Sequence, residues 1–172
     1  SSAFHEVIDQ YPDLEMVAQQ TANWEKTEAF DKTEAILQAN PELDGIICGN
    51  DTMLEGAVAA CEAAGKNIPV IGVDGSDEAA ALIKDGKATG TALQQFALMA
   101  EMAVEQADAY LKDGTTGLDE KQLVDCIAIT ADNVDNLKTF VYTEGGAEAA
   151  EDTAEAETED AGAEETTEGA AE

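Results

Sequence analysis

The sequence predicts an α/β fold, a parallel sheet with helices on both faces, followed by a disordered acidic tail. Three observations predict it. Short apolar runs, IIC, VIGV and TAL, recur between longer amphipathic stretches, and strands alternating with helices build right-handed βαβ units. Each run stops at a polar residue: Gly49-Asn50, Asp74 and Gln94. From Glu144 to Glu172 the chain then carries twelve acids, no base and almost no large apolar side chain.

The elements follow in order. Residues 3–10 suggest the end of a helix, stopped by Tyr11-Pro12. Because Ser1 opens directly into it, the start is expected to be cut short. LEMVAQ, 14–19, alternates apolar and polar residues as a strand does. Lys26 to Ala39 sets Ala29, Phe30, Thr33, Ile36 and Leu37 on one helical stripe, and Asn40-Pro41 ends it. GIIC, 45–48, is predicted as a buried strand. Asp51 or Thr52 is then expected to cap a helix from Met53 to Ala64 that Gly65 terminates.

VIGV, 70–73, is the next buried strand. Ser76 or Asp77 caps a helix running to about Lys84, closed by Asp85-Gly86. ATGTAL, 88–93, is a strand. Phe96 to Leu111 is a strongly amphipathic helix whose apolar face carries Phe96, Met99, Ala103, Val104, Ala107, Tyr110 and Leu111. LVDCIAI, 123–129, is the last strand. From Glu144 the tail cannot offset its ordering entropy by burial and is expected to stay disordered as a solvated spacer.

Composition narrows the chemistry. The chain has 172 residues, enough for one ordinary domain, with 44% hydrophobic residues but only 5% aromatics, so the core is expected to be alanine-rich. Its 38 acidic residues face eight lysines and no arginine, for a net charge of -30. Such a charge repels nucleic acid and anionic membranes, and no guanidinium is available to clamp an anionic substrate. Cys48, Cys61 and Cys126 form no CxxC and are expected to be buried structural thiols. The single histidine, His5, reads as surface. No zinc, calcium or phosphate-loop pattern occurs, and no hydrolase motif. Neither an enzyme nor a metal or other cofactor is expected.

The polar strand ends remain. In parallel sheets ligands bind beyond the carboxyl ends of the strands. Asn50 also suits the turn before a helix, and Asp74-Gly75 a simple turn, but Gln94 has no turn role. A carboxylate accepts from two neighbouring hydroxyls, while Asn and Gln amides donate and accept, a mixture that a neutral polyol needs. Trp24 follows the first predicted strand between polar Asn23 and Glu25. It is either a core tryptophan or an indole face for the C–H side of a sugar ring.

The runs NPELDGIICGNDTMLEGAVAACEAAGK, IPVIGVDGSDEAAALIKDGKATGTALQQ and LVDCIAITADNVD resemble the periplasmic sugar-binding proteins of the ribose-binding type, the substrate-binding components of ABC importers. The resemblance covers about residues 1 to 140. It implies one Rossmann-like lobe of a two-lobe clamp that closes on a sugar. It also implies ligand-binding roles for Trp24 (stacking), Asn50 (near the hinge), Asp74 (two hydroxyls) and Gln94 (lobe crossover). On this basis residues 1–94 are the distal lobe, truncated at its start, and 95–125 belong to a mostly missing amino-terminal lobe. Residues 126–143 return to the distal lobe and 144–172 are the tail. The family's ligand-binding arginine would precede Phe4 and is not contained here. The helix from Phe96 would present an orphaned apolar face.

The implied function is extracytoplasmic, periplasmic or lipid-anchored: binding of a neutral monosaccharide between lobes and delivery to a permease. The partners are that sugar, the amino-terminal lobe and the permease, with no nucleic acid. The alternative is the effector domain of a lactose-repressor-like regulator. Asp74-Gly75, where such regulators usually carry two aspartates, and the KDGKATGTALQ run weigh against it. A sugar-sensing ectodomain is a third possibility.

Overall fold

The computed structural model describes residues 2–144; the predicted tail from Gly145 onward lies outside them. Helix α1 (Ser2–Ile8) is followed by α2 (Lys26–Ala39), strand β1 (Ile46–Ile47), α3 (Asp51–Ala63), β2 (Val70–Asp74), α4 (Asp77–Lys84), β3 (Gly90–Leu93), α5 (Phe96–Asp113) and β4 (Ile127–Thr130). A single 3-10 turn, Val134–Asn136, leads into a hairpin of β5 (Leu137–Lys138) and β6 (Val141–Tyr142).

The four main strands lie in chain order, β1-β2-β3-β4. β1, β2 and β3 run parallel, as expected. β4 is antiparallel to β3, with Thr91 opposite Ile129 and Leu93 opposite Ile127. A wholly parallel sheet was expected. The direction of β4 is set by the route of the chain through α5 and back, which an apolar run does not encode. β4 also starts later than predicted, at Ile127 rather than Leu123.

Alternation along the strands selects the core face. Val70 is buried and Ile71 is exposed; Thr91, Leu93 and Ile129 are buried. That face packs with Leu54, Ala57, Val58 and Cys61 of α3, Ala79, Ala80 and Ile83 of α4, and Val134 and Leu137. Helix α2 lies against α3 through Ala29, Thr33 and Leu37. The contact is close because Gly56 has no side chain: a methyl group there would run into the Lys26 carbonyl and stand 2.9 Å from Ala29 Cβ. Many buried alanines and few rings make up this core, as the composition implied.

The predicted strand at 14–19 does not form. The segment lies outside every strand, with Leu14, Met16 and Val17 exposed. A cavity of about 890 Å³ opens among this segment, Phe4 and Ile8 of α1, Ile36 of α2 and Ile46 and Ile47 of β1. A strand exists only when its backbone is paired, and among the described residues the outer edge of the two-residue β1 carries no partner strand. Alternation showed that the segment suits a sheet surface, not that it occupies one.

The predicted cap of α4 is present, and a hairpin that was not predicted follows the last turn. Ser76 caps α4, its side chain accepting from Ala79 N–H at 3.1 Å. The hairpin turn has Thr139 and Phe140 both at positive φ, 50° and 63°. This strained two-residue turn fits the twist of a hairpin. It is held where Thr139 N–H and hydroxyl donate to Asp77 at 2.7 and 3.2 Å, and where Phe140 meets Phe96 edge-on, centroids 5.6 Å apart. Helix α5 ends at Gly114, φ 71°, and none of its residues is buried. Phe96, Met99, Val104, Tyr110 and Leu111 are all exposed, Leu111 to 84%. The orphaned face is therefore present. Cys48 and Cys61 are buried, but Cys126 is exposed, which corrects the expectation of three buried thiols: it precedes β4 instead of lying within it.

Candidate functional site

The polar residues singled out from the sequence lie along one end of the sheet. The register pairs Ile47 with Ile71 and Asp74 with Leu93. Hence Asp74 ends β2, while Asn50 and Gln94 follow the carboxyl ends of its neighbours β1 and β3. Trp24 joins them from the loop before α2.

Trp24 sits in a tight turn closed by Glu25 N–H donating to the Ala22 carbonyl at 2.8 Å. Asn23 and Trp24 both have positive φ, 48° and 66°. The turn is braced by Asn23 Nδ2 donating to Glu28 Oε2 at 2.8 Å. Trp24 is 66% exposed, so it is not a core tryptophan. Its ring leans over Gly49: a methyl group on Gly49 would be 3.2 Å from Trp24 Cζ3. The indole thus stands beside the residue that precedes Asn50.

Asn50 is the N-cap of α3, its Oδ1 accepting from Met53 N–H at 2.9 Å. Asp51 and Thr52 were expected in that role, and the correction has a simple cause. Asn50 has extended backbone, φ -152° and ψ 173°, the geometry that turns a side-chain oxygen back onto the third amide of a helix. The bond uses the oxygen of Asn50 and leaves its amide nitrogen available.

Asp74 has a positive φ of 130°, a region that non-glycine residues enter only when their surroundings enforce it. Gln94 supplies part of that enforcement. Its Nε2 donates to Asp74 Oδ1 at 2.7 Å, and its backbone N–H donates to the Asp74 carbonyl at 3.2 Å. One carboxylate oxygen is thereby oriented, and the other has no protein donor among the described residues. The site holds an aromatic face, an amide donor, an aligned carboxylate and a second amide, all partly accessible.

Beneath it lies a group that sequence reading assigned only to capping. Asp51 is 2% exposed. Its Oδ2 accepts from Gly75 N–H at 2.9 Å and Ser76 N–H at 2.8 Å, and its Oδ1 from the Thr91 hydroxyl at 2.7 Å. Burial raises the Asp51 carboxyl above its ordinary value, and the bonds from Ser76, Thr91 and Gly75 oppose that rise. The signal that could have found it is Gly72. A glycine inside a buried strand marks a close approach, and a methyl group there would collide with Asp51 Oδ1. Nearby, burial pushes the Cys48 thiol up to about 12, with Cys61 and Asp51 adding to the rise. This thiol is inert at neutral pH.

His5 is exposed, 3.2 Å from the Gln19 side chain. Among the described residues no three potential ligands gather to hold a metal ion, and no helix is long and apolar enough to cross a membrane. The cavity beside β1 is lined mainly by apolar side chains and includes none of Trp24, Asn50, Asp74 or Gln94. Polar side chains such as Asp13, Gln19, Lys32 and Asn40 also line it; the sheet end is the better candidate because parallel sheets bind ligands beyond the carboxyl ends of their strands.

Residues 1–116 match the periplasmic binding protein domain family. The chain is 51% identical over 142 residues to a D-apiose import binding protein of Actinobacillus succinogenes, covering 81% of this chain and 46% of that protein. It is 48% identical over 141 residues to a D-apiose import binding protein of Paraburkholderia graminis, covering 81% and 45%. Among solved structures, an ABC transporter periplasmic solute binding protein from Actinobacillus succinogenes with bound D-allose superposes with a TM-score of 0.71 at 34% identity, covering 77% of this chain and 47% of that one. The chain spans about half the length of the curated relatives it matches. The matched residues run from α1 through α5, the span that builds β1, β2 and β3 and carries the whole polar sheet end; the chain belongs to the periplasmic binding protein domain family.

Proposed function

We propose that this chain is the distal, ligand-carrying lobe of an extracytoplasmic ABC-importer receptor, one that binds a neutral monosaccharide or related polyol between two lobes and delivers it to the permease. The observation that carries the reading is the placement of Trp24, Asn50, Asp74 and Gln94 along one sheet end, with Gln94 aligning Asp74 at 2.7 Å. A ring with one apolar face and several hydroxyls fits that set. The indole takes the C–H face, Asp74 accepts from hydroxyls, and the amides donate and accept.

In this reading residues 1–94 and 126–143 form the distal lobe, and 95–125 belong with the amino-terminal lobe. The unburied α5 supports the division. Closure follows when a ligand contacts both lobes, because only the closed form makes both sets of bonds. The closed form is what the permease recognises, and binding is the receptor's whole task. The relatives that match are import binding proteins, and no observation favours the regulator alternative.

The test is calorimetry of the two-lobe receptor against D-apiose, D-allose, D-ribose and xylitol. At least one is expected to bind, and Asp74→Ala is expected to abolish binding with the circular dichroism unchanged. Unaltered affinity in that variant, or no binding by any of the four, sinks the reading. The 172-residue chain alone is expected to bind weakly, lacking the second lobe's share of the contacts.

A further inference from the structure

We propose that Asp51 is a positioning residue for the ligand site: its buried carboxylate holds the Asp74–Ser76 turn in shape and fixes the spacing between Asn50 and Asp74. The inference rests on the reading of Asp74 as a ligand-binding residue. Asp51 touches no ligand in this scheme. It acts through the two turns that present Asn50 and Asp74.

The geometry carries the argument. Asn50 already caps α3, so Asp51 is not needed for that. Both oxygens of Asp51 are turned inward instead. Oδ2 takes the N–H groups of Gly75 and Ser76, the two residues after Asp74, at 2.9 and 2.8 Å. Oδ1 takes the Thr91 hydroxyl at 2.7 Å, from the strand that ends at Gln94. One carboxylate therefore ties the start of α3 to the loop after β2 and to β3. The position is prepared on the opposite side by Gly72, where any side chain would displace it. Asp74 needs such support, because its φ of 130° persists only in an enforced setting. Gln94 aligns its carboxylate, and Asp51 fixes the peptides that follow.

A carboxylate suits this role better than an amide. It accepts three bonds on two oxygens, and charge-assisted bonds are about twice as strong as neutral ones. Asn in its place has one accepting oxygen, and its NH2 must face Thr91. The shape is preserved while the hold on Gly75 and Ser76 is weakened.

The test compares the parent, Asp51→Asn, Thr91→Val and Thr91→Ser with Val58→Ala, a core substitution remote from the turn. All are measured well below their melting temperatures, so that each is folded. In the two-lobe receptor, titrated with whichever of D-apiose, D-allose, D-ribose or xylitol the parent binds most tightly, Asp51→Asn is expected to raise Kd at least tenfold. Thr91→Val is expected to raise it less, and Thr91→Ser and Val58→Ala to leave it within twofold. The Gly75 and Ser76 amides of Asp51→Asn are expected to exchange with solvent at least tenfold faster than in Val58→Ala. An Asp51→Asn affinity within twofold of the parent, while Asp74→Ala fails to bind, overturns the positioning role alone. So does amide exchange no faster than in Val58→Ala. Parent-like binding by Asp74→Ala instead overturns the reading beneath it.

Discussion

Asn50 shows how one side chain serves a turn and a site together. Its oxygen caps α3 while its nitrogen stays available, so the structural and ligand readings of that residue are compatible. The same division applies to Asp74, with one oxygen on Gln94 and one without a protein donor among the described residues. Cysteine chemistry separates along similar lines. Burial raises the thiol pKa of Cys48 and Cys61, while Cys126 is exposed. Maleimide labelling of the native chain at pH 7 is therefore expected to modify Cys126 quickly, and Cys48 and Cys61 only on unfolding. Mass spectrometry of peptides after brief labelling checks this, and early modification of Cys48 contradicts the packing described.

Elements differ in how far the sequence revealed them. Helix α2 was legible because the apolar stripe and the Asn40-Pro41 stop agree. The placement of Asn50, Asp74 and Gln94 was legible too, since apolar runs that stop at polar residues mark strand ends. The segment 14–19 was not, because pairing depends on a neighbour's free edge and not on its own alternation. The role of Asp51 was hidden because its partners Gly75, Ser76 and Thr91 lie 24 to 40 residues away. Gly56 and α5 give opposite predictions. Gly56→Ala is expected to cost about 1–3 kcal/mol, since the added methyl overpacks the α2–α3 contact. Leu111→Ala is expected to stay within about 0.5 kcal/mol, because that side chain is 84% exposed among the described residues. Urea unfolding of the 172-residue chain measures both.

At the scale of the whole molecule, electrostatics dominates. A net charge of -30 makes the folded chain repel itself. The Asp51 carboxyl, raised by burial above its ordinary value of 3.8, acts in the same direction. Between those two values the folded state holds more protons than the unfolded, so the stability linked to Asp51 is full below 3.8 and is lost as pH rises through the folded value. Lowering the pH below 7 is therefore expected to raise Tm by relief of repulsion, and this linkage adds to the rise as the pH falls through the folded Asp51 value. Added salt at pH 7 should reproduce only the first part. Calorimetric scans across pH, with Asp51→Asn as comparison, are expected to show a shallower rise in the variant. The outer margin of β1 gives this charge a second consequence. Unpaired backbone groups along a sheet border can recruit a strand from another molecule, and Ile47 is exposed beside them. Mutual repulsion keeps copies apart near neutrality, so acidification that tightens each fold also removes the barrier to intermolecular β-addition, and conditions chosen for the greatest thermal resistance favour fibrous or amorphous self-assembly.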